Sequence, residues 1–307
     1  MGALVSKGGS SFILSNTHVF AGDSVRGGNN RVTQIGDPVN QPGLIDVGCA
    51  NITADHVANV TDWSRLGVDN VDASIAQVMT GAVDSTGSIL GIGRLSSLPA
   101  SAFVGQSVKK TGRTTGFSRS TVSALNATIN VGYSTECAGS EFTAQFTGQI
   151  VINNRGSKFL AGGDSGSVMV EDVSANPRAV GLLYAGSNSV AIANPIQDVI
   201  NKFGVTMVGS AVTQSGGTGA EGKNAGANAQ GLARAMAVQE RHGHEFLDLP
   251  GAVGHGVGLG NSPVIKVFVE ELTPDVRAAA PAAVEGVPIV LEAVGRIVSV
   301  VQCAKKM

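Results

Sequence analysis

Ala161-Gly162-Gly163-Asp164-Ser165-Gly166-Ser167 sets a serine among glycines after a long run of β-like sequence. A serine hydroxyl is a poor nucleophile until a base takes its proton. It also needs backbone N–H groups aimed at the oxyanion that it creates. Glycines around Ser165 let the backbone bend so that the N–H groups of Gly163 and Ser165 converge on one point, the candidate oxyanion hole. Glycine is abundant here, 42 of 307 residues, so the stretch does not decide the matter alone. What decides it is whether a histidine and a carboxylate stand upstream in suitable settings.

Both do. Ser11-Phe12-Ile13-Leu14-Ser15-Asn16-Thr17-His18 is a short apolar strand running into a polar turn that carries His18. Val71-Asp72-Ala73-Ser74-Ile75-Ala76-Gln77-Val78 is an acid leading an alternating strand. Two rivals fit less well. His56 follows Ala54-Asp55 and reads as a turn or surface histidine, and Asp69 lies in a Gly-Val-Asp-Asn turn. The candidate catalytic residues are therefore His18, Asp72 and Ser165, in that order along the chain.

This order resembles the trypsin/chymotrypsin class, because other serine hydrolases run their triads differently. Three more segments carry the resemblance over residues 1 to about 205. Lys110-Thr111-Gly112-Arg113-Thr114-Thr115-Gly116 looks like the strand and turn that open a second barrel. Val180-Gly181-Leu182-Leu183-Tyr184-Ala185-Gly186 resembles the strand that follows the nucleophile and lines the specificity pocket. Ala193-Asn194-Pro195-Ile196 and the helical run to Phe203 look like the end of such a domain. The phrases Leu14-Ser15-Asn16-Thr17-His18-Val19 and Gly36-Asp37-Pro38 to Gln41-Pro42-Gly43 are most similar to a bacterial subgroup related to the plant narrow-leaf peptidases.

The resemblance implies a double β-barrel and a serine endopeptidase working through an acyl-enzyme. It implies a protein or peptide substrate and no cofactor. The position that sets the floor of the specificity pocket is Phe159, next to Leu160, with Ala185 and Gly186 at the entrance. No acid stands at the floor, so cleavage after Lys or Arg is not expected; a small or medium apolar side chain is. Asp164 raises a question. In zymogen-type relatives its counterpart pairs with an N-terminus freed by cleavage, a device not evident here. Asp164 then needs another cation, such as Arg155, or a partner that orders its loop. A latent or non-catalytic trypsin fold, used for binding, is the alternative reading.

Regular short strands fill the first two hundred residues: 12–14, 71–79, 107–110, 120–130, 141–151, 167–171 and 179–184. Residues 1–208 are thus read as the protease domain. Ser210 to Gln230 has no large apolar residue except Val212, so 209–230 reads as a linker. Residues 231–307 read as a small α+β module of regulatory or interaction type, with ferredoxin-like element order. Its expected parts are a helix over 232–247 and a hairpin of 253–259 with 264–270. A helix start at Thr273-Pro274-Asp275, a short helix over 278–284 interrupted by Pro281, and a closing strand or pair over 287–301 complete it. Its strand Val264-Ile265-Lys266-Val267-Phe268-Val269 offers an edge for a homo-oligomer, or sits inside a sheet.

Composition bounds the rest. A net charge of −2 argues against a nucleic-acid or anionic-membrane surface. No run approaches the ~18 apolar residues of a membrane helix. The start, Met1-Gly2-Ala3-Leu4-Val5, has no signal peptide and leads straight into a strand. Three separated cysteines, Cys49, Cys137 and Cys303, suggest reduced thiols, with one Cys49–Cys137 bridge left open. Together these give a cytoplasmic expectation, with a leader absent from this sequence as the open alternative. His242, His244, Glu245 and His255 lack the spacing of a zinc helix, so no metal is expected. Gly254-His255-Gly256-Val257-Gly258-Leu259-Gly260 reads as hairpin, not as a dinucleotide loop.

Overall fold

A computed structural model describes residues 2–22, 33–48, 52–134, 141–211 and 225–299. The three cysteines, most of the expected linker and the end of the expected closing strand lie outside the described residues. The chain is mainly β, a double β-barrel followed by an α+β region.

The first barrel is built from β1 (Ala3–Lys7), β2 (Ser10–Ser15), β3 (Pro38–Asn40), β4 (His56–Trp63) and β5 (Ser74–Val78), with a one-turn helix α1 (Thr17–Phe20) after β2. Alternation drives it: Val5, Phe12, Leu14 and Ile75 point into one core, shared with the second barrel's Val168 and Leu182. A small ribbon, β6 (Ser88–Ile89) and β7 (Gly93–Arg94), leads to the second barrel. That barrel comprises β8 (Ser107–Gly112), β9 (Gly116–Ser134), β10 (Glu141–Asn153), β11 (Val168–Glu171), β12 (Ala179–Gly186) and β13 (Val190–Pro195). Pairing runs β8-β9-β10-β13-β12-β11 and returns to β8, so the ring closes, while β9 and β12 run on past β8 and β11. α2 (Ile196–Phe203) then ends at Gly204, whose φ of +61° needs no Cβ, and β14 (Thr206–Met207) returns to pair with β1 of the first barrel.

The α+β region does not stand apart. α3 (Ala225–Leu247) leads into β15 (Ala252–Leu259) and β16 (Pro263–Val269), the expected hairpin. β15 pairs with β9 through Gly254↔Ile129 and Val257↔Leu125, so the barrel sheet continues into the hairpin. α4 (Pro274–Ala279) is capped by Thr273, whose Oγ1 accepts from Val276 N–H. The helix starts where Thr273-Pro274-Asp275 places it but ends at Ala279, so the expected stretch over 280–284 is not helical. Pro281 stops it, and Glu285 and Gly286, both at positive φ, close a tight hairpin of β17 (Ala283–Val284) with β18 (Val287–Ala293). β18 lies parallel to β16. The strand Val264–Val269 is therefore flanked on both sides and is not a free edge. β19 (Val298–Ser299) ends the described chain.

α3 begins at Ala225, not Leu232; the sequence hides the start because Ala225 to Gly231 holds only Ala, Gly, Asn and one Gln and has no apolar stripe. The helix is fixed to the barrel by a part-buried network. Gln239 Nε2 donates to Asn126 O at 2.7 Å and meets His255 Nδ1 at 2.8 Å. Asn126 Nδ2 returns a bond to Gln239 Oε1 at 3.1 Å. Burial pushes the His255 imidazole down to about 4, so it is neutral at pH 7. No described helix is long and apolar enough to cross a membrane.

Candidate active site in the cleft between the barrels

His18 sits on α1, directly after β2, and Asp72 directly before β5. These two strands are paired neighbours, Ser15 facing Ser74, so the sheet brings the two side chains together. His18 Nδ1 lies 2.5 Å from Asp72 Oδ2, and both side chains are buried. The backbone N–H of His18 also donates to Asp72 Oδ1, at 3.3 Å. Thr17 helps to hold the turn: its hydroxyl donates to Ala73 O at 2.8 Å.

The second barrel grips the same acid. Tyr133, near the end of β9, donates its hydroxyl to Asp72 Oδ2 at 2.9 Å. Burial pushes the Tyr133 phenol well above its ordinary value and the Asp72 charge adds to this, so it stays protonated and serves as a donor. Asn194 on β13 accepts from Asp72 N–H at 3.0 Å, and its own amide is held by Gln149 at 2.7 Å. Sequence reasoning missed Tyr133 and Asn194, because nothing local marks a tyrosine or asparagine that reaches across to the other barrel.

Ser165 lies in a tight turn before β11. Asp164 N–H donates to Ala161 O and Ser167 N–H to Asp164 O, both at 3.0 Å, and the Ser167 hydroxyl reaches Asp164 O at 2.6 Å. Gly163 at φ +93° and Gly166 at φ +85° occupy backbone regions that favour glycine. A Cβ on Gly166 would overlap Ser15 Oγ. His18, Gly163 and Ser165 line one cleft of about 650 Å³. His18 Nε2 makes no hydrogen bond among the described residues, so the histidine–serine contact is not closed in this structure. Such contacts often tighten only when substrate binds.

The cation that Asp164 requires is Lys110, not Arg155. Lys110 Nζ is 3.1 Å from Asp164 Oδ2, and neither side chain is exposed. Burial alone would raise the Asp164 carboxyl. Hydrogen bonds from Thr115 Oγ1 at 2.7 Å and Ala161 N–H at 3.0 Å, the Lys110 charge and the Thr114 N–H at 2.7 Å outweigh it and hold the carboxyl below its ordinary value. Lys110 has fewer partners, and burial pushes its ammonium down. Gly112 leaves room for the pair, since a Cβ there would overlap Asp164 Oδ1. The signal in sequence was faint: a lysine inside an alternating strand usually faces water.

Phe159 and Leu160 are buried in the second barrel's core with Ile152 and Leu183. Leu160 and Gly186 also line a second cleft, of about 580 Å³, and Ala185 is buried beside it on β12. None of the described residues lining this cleft is a carboxylate. The rivals have other partners. The His56 ring binds Ala58 O at 2.9 Å, and Asp69 pairs with Lys202 at 2.9 Å. His242 bridges Glu245 and Glu285 at 2.8 and 2.9 Å, while His255 faces Gln239.

The sequence matches the Nal1 C-terminal domain family over residues 59–194, which span the end of the first barrel and most of the second. No match was found among curated protein sequences. Among solved structures, the chain is similar to a glutamic-acid-specific serine protease that uses a histidine triad in substrate binding. The identity is 21% and the TM-score 0.46, with 67% of this chain and 90% of that one covered. It is similar to Thermobifida fusca protease A at 17% identity and TM-score 0.45, over 68% and 91% of the two chains. Cellulomonas bogoriensis chymotrypsin matches at 17% and 0.44, over 68% and 90%. Likeness at this level says nothing of the site, which stands on its own geometry.

Proposed function

We propose that this chain is a serine endopeptidase with Ser165 as nucleophile, His18 as general base and acid, and Asp72 as the group that orients His18. The observation that carries this is the buried His18 Nδ1–Asp72 Oδ2 contact of 2.5 Å. It leaves Nε2 as the ring nitrogen available to a serine in the same cleft. His18 Nε2 takes the Ser165 proton as Oγ attacks the peptide carbonyl. The Gly163 and Ser165 N–H groups receive the oxyanion. His18 then protonates the leaving amine, and water, deprotonated in turn by His18, releases the acyl group. Asp72 keeps the imidazole in the required tautomer and stabilises the imidazolium. Tyr133 and Asn194 position Asp72.

Phe159, expected at the pocket floor, lies in the core and lines neither cleft; the preference for small or medium apolar residues over Lys or Arg rests on the second cleft, which has Arg296 and no carboxylate among its described lining. The narrower placement beside the plant narrow-leaf peptidases, the bacterial source and a cytoplasmic setting belong to this proposal. One observation favours the latent alternative: β19 already pairs with β12 next to the nucleophile turn.

A fluorophosphonate probe tests the reading. Wild type should be labelled, while Ser165→Ala and His18→Ala should not. A wild-type chain that stays unlabelled, folded and with its cleft open, would overturn it.

A further inference from the structure

β12 has two edges. β13 covers one of them as far as Ala185↔Ile192 and Gly186↔Ala191. On the other edge, β11 pairs only up to Val168↔Leu182. Beyond that point the same edge carries β19, antiparallel, with Ala185↔Ser299 and Gly186↔Val298. Between these two partners stands Leu183, tied to the nucleophile turn itself. Gly166 N–H donates to Leu183 O at 2.9 Å, and Leu183 N–H to Ser167 O at 3.0 Å.

The direction matters. Past Leu183, β12 runs away from the Ser165 turn, so an antiparallel β19 runs toward it, N to C. An extended peptide that adds as a strand to this edge would approach Ser165 in the same sense. Ala185 and Gly186, which the sequence assigns to substrate, are thus occupied by the chain's own C-terminal segment.

The segment is anchored. Val294 and Ile297 are buried in one core cluster with Tyr133 and Tyr184. Gly132 N–H donates to Ile297 O at 3.0 Å, and Arg296 pairs with Glu141 at 2.6 Å. Val294 and Val298 line the 580 Å³ cleft together with Leu160 and Gly186.

We propose that Val298 and Ser299 occupy, in cis, the strand edge that would bind substrate residues preceding the scissile bond. The chain thereby closes its own peptide-binding edge, though not the 650 Å³ cleft that holds Ser165, until this segment is displaced or removed. The inhibitory meaning rests on the endopeptidase reading; the occupancy of the edge does not.

The test separates the two. In a Ser165→Ala background, a fluorescent peptide with the sequence of residues 296–302 is titrated into three chains: full length, one ending after Ile297, and full length with Val298→Pro and Ser299→Pro. The last two keep the Val294 and Ile297 anchors. Both should bind the peptide at least tenfold more tightly than the unaltered full-length chain. With Ser165 restored, both should hydrolyse a mixed peptide pool at least tenfold faster. Equal peptide binding by all three chains would overturn the occupancy. Tighter binding by the two altered chains, with no fluorophosphonate labelling of any of the three chains once Ser165 is restored, would uphold the occupancy and overturn the endopeptidase reading instead.

Discussion

Lys110 and Asp164 show how much rests on single residues here. The pair is fully buried, so losing one partner leaves a charge stranded, at a cost of about 3–5 kcal/mol. Lys110→Met should lower urea-unfolding stability by that order and cut fluorophosphonate labelling at least tenfold, because Asp164 shapes the turn that presents Ser165. Lys110→Met with Asp164→Asn should recover part of the loss. The pH dependence follows from the depressed Asp164 carboxyl. Its contribution is fully present above the ordinary value of 3.8 and is lost as pH falls through the lower folded value. Asp164→Asn should therefore flatten the acid limb of the stability curve. Tyr133→Phe removes one hydrogen bond to a buried carboxylate, worth about 1.5–3 kcal/mol. Turnover should fall with KM little changed, and a thermal melt should drop. Unchanged turnover would show that Asn194 and the backbone hold Asp72 unaided.

At the scale of elements, the packing of α3 on the barrel depends on a neutral histidine. Between pH 6.5 and about 4, the unfolded chain takes up a proton at His255 that the folded chain refuses. Stability therefore falls as pH drops through that window, by about 3 kcal/mol in full. His255→Gln should lower the melting temperature at pH 7 but flatten its decline toward pH 4, and an unaltered slope would refute the assignment. Most strands were legible because alternation is a local signal: β8, β10, β11 and β12 form where the pattern places them. β4 (His56–Trp63) was not, since polar Asn59, Thr61 and Asp62 mask its buried Ala58 and Val60. The short helix expected over 278–284 failed beyond Ala279 because alanines carry no information about direction once Pro281 has broken the run.

For the whole molecule, the continuous sheet sets an expectation. β15 covers one edge of β9, and Val253, Phe268, Val294 and Ile297 belong to a core cluster of the second barrel. Ending the chain at residue 211 would uncover that edge and those apolar side chains together. The truncated chain should be markedly less stable or should aggregate, as read by light scattering and urea unfolding. A stable, monomeric fragment with a native melt would show that the barrel does not depend on its extension.

The sequence by itself determined the order of the candidate residues, the β class, the turn at Ser165 and the helix-and-hairpin content of the C-terminal region. These are written in local period, glycine placement and spacing, which act within a few residues. Only the tertiary structure decided that Lys110 answers Asp164, that Tyr133 and Asn194 hold Asp72, and that Val298 and Ser299 lie on the strand beside the nucleophile. Each of these pairs residues far apart in the chain, and burial fixes their strength. No local pattern encodes which distant partner a buried charge or an open strand edge will meet.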